Sequence, residues 1–179
     1  MANIFRVTAV ILLLGVLLSF LDRFPAVQPV QLNAASVRKG PVPGGAVDSM
    51  RKKIEALGAS KEESLKISDA ILTASEITGV DADFIAALMY TESSFDMHAV
   101  SSAPPTGYYG LMQVPFKVFD AHANTIIGAN IYSEKLKLAG HDPVMAVVLY
   151  KGHGWNRSGR ALAQADSVIR LCNKIKRGG

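Results

Sequence analysis

The sequence predicts an all-α domain, and three observations carry that expectation. Apolar residues recur at helical spacing in successive segments, helix-starting polar residues and helix-stopping glycines fall at the segment ends, and no stretch sustains strand-like alternation. Val47, Met50, Ile54 and Leu57 share one face, which ends at Gly58. Ser60 with Glu63 makes a capping-box pair for a helix reaching about Thr78, and Gly79 stops it. Asp81 can cap a third helix through the apolar run Phe84–Tyr90. Ile127, Ile131, Lys135 and Leu138 mark a fourth over residues 124–139, before Gly140. Asp142-Pro143 is a cap followed by proline at the first helical position, opening Val144 to Lys151. A last helix over about 159–176 carries Leu162, Ala165, Ile169, Cys172 and Ile175 on or near one stripe. Neither an Asn-Gly nor an Asp-Gly hairpin turn occurs.

These helices occupy residues 47–179 of a 179-residue chain, the length of one ordinary domain. Residues 22–46 hold Pro25, Pro29, Pro41, Pro43, Gly44 and Gly45 and read as a linker without a core. Before it, residues 1–21 read as an address. Between Arg6 and Asp22 lie the fifteen uncharged residues Val7–Leu21. As a helix they reach about 22 Å, short of the roughly 30 Å of a bilayer core. A signal-peptide core with Arg6 at its positive end fits this length, and an uncleaved anchor over residues 4–21 is the second reading. Either one exports the rest of the chain to the cell envelope, secreted or anchored.

Composition excludes several classes of function. Hydrophobic residues at 49% argue against wholesale disorder, and a lone Cys172 forbids an internal disulfide or a thiolate metal cage. Cys172 sits among Val168, Leu171 and Ile175, as a small core group would. A net charge of +4 suits an anionic polymer or surface but is too small for a nucleic-acid footprint, so no nucleic-acid partner is expected. His98, His122, His141 and His153 lack paired ligand spacing, so no metal or other cofactor is expected. Arg170, Lys174, Lys176 and Arg177 form a basic end to the last helix, which suits its dipole.

Most acidic residues sit at helix-surface spacing among polar neighbours. Glu92 differs. It shares the face of Ile85 and Met89 and falls near a helix end, where desolvation and the dipole both disfavour a carboxylate charge. A carboxyl kept protonated near neutral pH is what a general acid needs. Beyond it comes Gly107-Tyr108-Tyr109-Gly110-Leu111-Met112-Gln113, with glycines that allow close backbone approach and an amide that both donates and accepts. Tyr108 and Tyr109, tied to this loop, are candidates for sugar contact. Trp155, in the glycine-rich Lys151-Gly152-His153-Gly154-Trp155, could stack on sugar or pack.

The order Glu92-Ser93-Ser94-Phe95, then Gly110-Leu111-Met112-Gln113, then Asn124 with Gly128, then Tyr150 with Gly152, resembles the soluble lytic transglycosylase (SLT) domain of the lysozyme-like superfamily over residues 68–155. The resemblance implies a lysozyme-like helical fold and a cleft for peptidoglycan glycan strands. It implies Glu92 as the catalytic acid, and Ser101 or Ser102, Gly110, Met112, Gln113, Asn124 and Tyr150 as substrate-binding residues. It further implies a reaction without a second carboxylate. Glu92 protonates the oxygen between MurNAc and GlcNAc, then as base accepts the C6 hydroxyl proton, giving a 1,6-anhydro product. The resemblance extends to the transglycosylases of conjugation, secretion, phage assembly and wall recycling alike. Two other readings stand beside it: a hydrolytic muramidase of the goose-lysozyme kind with Asp96 positioning water, and an inactive peptidoglycan-binding or assembly protein.

Three departures from the family pattern are visible. Ser102–Thr106 is longer than usual, the segment from Gln113 to Asn124 is shorter, and Lys151 stands where the family has asparagine. An ammonium near Glu92 favours its ionised form, against the acid role, unless it points away.

Overall fold

The computed structural model describes residues 43–101, 107–155 and 158–178. The leader over 1–21, the linker up to residue 42 and Ser102 lie outside the described residues. Six helices are described: α1 (Gly44–Ala56), α2 (Lys61–Thr78), α3 (Ala82–Ser93), α4 (Ala121–Leu138), α5 (Pro143–Tyr150) and α6 (Gly159–Lys176). Between α3 and α4 lies a ribbon of two short antiparallel strands, β1 (Val100–Ser101) and β2 (Tyr108–Tyr109), with Val100 opposite Tyr109. The architecture is thus helical, and the ribbon is an addition to the all-α expectation. Strands of two residues are too short to show period-two alternation. Among the described residues, no helix is long and apolar enough to cross a membrane.

The helix ends follow local chemistry. The Ser60 hydroxyl accepts from the Glu63 amide, the Asp81 carboxylate from Phe84, and the Asp142 carboxylate from Val144 and Met145. Gly79 takes the left-handed conformation (φ 71°) that ends α2. Two boundaries differ from expectation. α1 begins at Gly44 behind Pro43, inside the breaker-rich run, where burial of Val47, Met50 and Ile54 outweighs the poor helix propensity of the two glycines in its first turn. α4 begins at Ala121, capped by the Asp120 carboxylate, whereas the large apolar residues start only at Ile126.

α3 is the central helix. Its six consecutive residues Phe84–Met89 are all buried, so it is covered on every side. α2 and α6 both pack against it, while α4 packs on α2 and α5. Phe84 and Tyr132 of α4 face each other with ring centroids 4.5 Å apart. Two ion pairs add to this: Lys53 of α1 reaches Asp83 at 2.8 Å, and Lys176 of α6 reaches Asp81 at 3.2 Å. A helix held on all sides presents its final turn rigidly, and that turn carries Glu92.

Candidate active site

α3 stops one residue after Glu92. Ser94 and Phe95 both adopt left-handed backbone (φ 53° and 69°), which turns the chain away from the helix axis. Phe95 is held in this strained state by burial against Tyr90, with ring centroids 5.7 Å apart. The Ser93 hydroxyl donates to the Leu111 carbonyl at 2.8 Å and so fastens the helix end to the loop after β2. That loop is closed by paired backbone bonds between Tyr109 and Val114, at 2.9 and 3.1 Å. At its tip Gln113 takes φ 47°, and its side-chain amide donates to the carbonyls of Gly110 (2.9 Å) and Ala99 (3.2 Å).

Glu92, Ser101, Tyr108, Gln113, Tyr150 and Lys151 line one pocket of about 130 Å³. Four of the sequence-derived site residues, Glu92, Ser101, Gln113 and Tyr150, therefore meet, although 58 positions separate the first from the last. Such a volume is below the roughly 300–1,000 Å³ of small-molecule sites, so it has room for only a part of a larger ligand. A larger cavity of about 560 Å³ lies against α1 and α6, lined by Lys52, Lys53, Leu57, Lys174 and Ile175 among others. It shares no residue with this pocket and none with the motifs.

Three expected substrate contacts are structural instead. Asn124 is 1% exposed. Its amide oxygen accepts from the Met112 N–H at 2.8 Å, and its nitrogen donates to the carbonyls of Tyr109 (2.9 Å) and Val118 (2.8 Å). Three of the amide's four hydrogen-bonding positions go to main chain, and burial keeps the remaining lone pair of the oxygen from a sugar. Gly110 (φ 73°) is buried against that same amide, and a side chain there would meet the Asn124 Cγ at 2.8 Å. Met112 is fully buried, its side chain seated on Gly128. Its carbonyl accepts from the Tyr150 hydroxyl at 2.7 Å and so braces the pocket lining from behind. Burial, and after it the charge of Glu92, push the Tyr150 phenol well above its ordinary value of 10, so it remains a donor.

The surroundings of Glu92 also differ from expectation. In place of an apolar groove, Lys151 closes over it, with Nζ 2.5 Å from Oε1 and side chains 13% and 15% exposed. Lys151 terminates α5 beside Tyr150, and α5 packs on α4 and α6, the second of which packs on α3. Sequence reasoning saw the replacement but not its direction. Asp96 is exposed, accepts from the His98 N–H at 2.8 Å, and is absent from the pocket lining. Tyr108 lines the pocket, whereas Tyr109 stacks edge-on against Phe119 at 6.0 Å. Trp155 is exposed. Among the described residues no group of three or more His, Cys, Asp or Glu is placed to hold a metal ion.

Comparison with curated proteins gives no match. A family model does match, over a segment that contains Glu92, Ser101, Gly110, Met112, Gln113 and Asn124 and stops short of Tyr150 and Lys151. That model is of the transglycosylase SLT domain, a family of the lysozyme-like superfamily, and it matches residues 69–125.

Proposed function

We propose that this protein is a peptidoglycan lytic transglycosylase with a lysozyme-like fold, cleaving the MurNAc-β-1,4-GlcNAc bond and leaving a 1,6-anhydroMurNAc end. The observation that carries the reading is the convergence of Glu92, Ser101, Gln113 and Tyr150 on one pocket, within and just beyond the SLT match. Glu92, freed from Lys151 and protonated, gives its proton to the glycosidic oxygen as the C1–O bond breaks. The N-acetyl carbonyl of the same sugar stabilises the cation at C1. The Glu92 carboxylate then takes the proton of the C6 hydroxyl, whose oxygen closes on C1. One proton leaves Glu92 and one returns, and water is not consumed. The exposed position of Asp96, bonded to His98, supports this route over hydrolysis with Asp96 positioning water.

The reading includes export: residues 1–21 as signal peptide or anchor, a linker ending before Gly44, and the catalytic domain acting in the cell envelope. One observation favours a second reading. The Lys151–Glu92 ion pair occupies the acid, as it would in a wall-binding protein without turnover.

Mass analysis of products from purified residues 36–179 on peptidoglycan decides between them. Anhydro-muropeptides from the wild type, reduced about 10²–10⁴-fold by Glu92→Gln, are expected. Ordinary reducing-end MurNAc means hydrolysis, and wall binding without products selects the second reading.

A further inference from the structure

We propose that Lys151 sets substrate choice, selecting glycan whose muramyl residues carry a free lactyl carboxylate over glycan in which that group is an amide. This inference rests on the glycan reading of the pocket. Of the six lining residues, Glu92 and Lys151 carry charge, and they neutralise each other at 2.5 Å. Ser101, Tyr108 and Gln113 are neutral, and the Tyr150 hydroxyl keeps its proton.

In the closed pair Lys151 covers Oε1, so a glycosidic oxygen cannot take that place. Protonating Glu92 by itself leaves a largely buried ammonium without a counter-charge, which is a costly arrangement. A substrate carboxylate resolves both difficulties. It replaces Glu92 as the partner of Nζ, and one proton from solvent on Glu92 keeps the pocket neutral. No covalent bond is made in this exchange: one ion pair breaks, one forms, and one proton is added.

Muramic acid is suited to supply that anion, because its lactyl ether is borne by the same ring whose C1 must lie against Glu92. When the lactyl group is condensed with a stem peptide, it is a neutral amide and offers no charge to the ammonium. Lys151 is placed to change partner. It caps α5, and Gly152 and Gly154 after it take positive φ (76° and 57°) with open space around both.

Two substrates test this: strands stripped of stem peptides by an amidase, and the same strands with the lactyl carboxyls capped as methylamides. Wild type is expected to cleave the free-carboxylate strand with kcat/KM about 10-fold or more above the capped one, and Lys151→Asn to bring the two within about 2-fold by gaining on the capped strand. Lys151→Gln repeats the measurement should the asparagine variant fail to fold. Binding supplies a readout independent of turnover. Glu92→Gln, with its ammonium unpaired, is expected to hold the free-carboxylate strand about 10-fold or more tighter than the capped one, and to discriminate more sharply than wild type. Equal wild-type rates on the two strands overturn the proposal. If wild type cleaves neither, the transglycosylase reading falls, and binding by Glu92→Gln still decides this one, with equal affinities overturning it.

Discussion

The Ser93 hydroxyl donates to the Leu111 carbonyl across eighteen positions of sequence, at 2.8 Å, and this bond ties the helix that carries Glu92 to the loop that carries Gln113. Besides it, the two sides of the pocket connect through the turn at Ser94–Phe95 and the ribbon, and through Lys151 on Glu92 and Tyr150 on the Met112 carbonyl. Ser93→Ala should cost only about 1 kcal/mol in urea unfolding. On the proposed function it should nevertheless lower kcat several-fold with little change in KM, because the displacement moves Glu92 relative to the loop rather than removing a group from the pocket lining. Ser93→Thr, which keeps the hydroxyl, should restore most of the rate. A loss confined to KM would refute this positioning role.

Asn124→Ala removes three hydrogen bonds and leaves the Met112 amide and the Tyr109 and Val118 carbonyls without that partner. The expected cost in chemical denaturation is about 3 kcal/mol or more. If Asn124 were a sugar ligand instead, the variant would keep its stability and lose glycan affinity.

Gly128→Ala puts a methyl group into the space of the Met112 side chain. Overpacking of this kind costs about 1–3 kcal/mol. The strain reaches the pocket because the Met112 carbonyl anchors the Tyr150 hydroxyl. A lower Tm together with reduced activity is expected, and Met112→Ala in the same chain should recover part of the Tm by vacating the space.

Two buried phenols make the fold sensitive to alkali. Tyr150 and Tyr132 are both raised above the ordinary value of 10, each chiefly by burial, with Glu92 next at Tyr150 and Cys172 next at Tyr132. Above about pH 10 the unfolded chain releases these protons while the folded chain retains them. The folded state then binds more protons, so stability falls as pH rises. The urea midpoint should drop between about pH 9 and 11, less steeply in Tyr150→Phe. An unchanged slope in that variant would show that other groups are responsible.

Much of the helical framework was legible because its signals are local. Ser60, Asp81 and Asp142 cap within three residues of themselves, and Gly79 stops α2 at its own position. The start of α4 was missed because Ala121 and Ala123 give no amphipathic signal, although Asp120 is a cap of the same kind as Asp81. In the site, the residue types that converge were visible, but their divided roles were not. Asn124 and Gln113 are both amides in the motif region, and what separates them is the set of main-chain groups each one meets. Lys151 likewise meets Glu92 from 59 positions away, a relation created by helix packing and absent from any local pattern.

The corner after α3 has one more consequence. With Ser94 and Phe95 both at positive φ, and the Gly110 amide bonded to the Ala99 carbonyl at 2.8 Å, the path from Glu92 to the ribbon is pinned at both ends. A residue inserted or deleted there has no slack to take it up, and it would flip the ribbon's faces relative to Glu92. Point substitutions can retune this stretch, whereas changes in its length would dismantle the pocket.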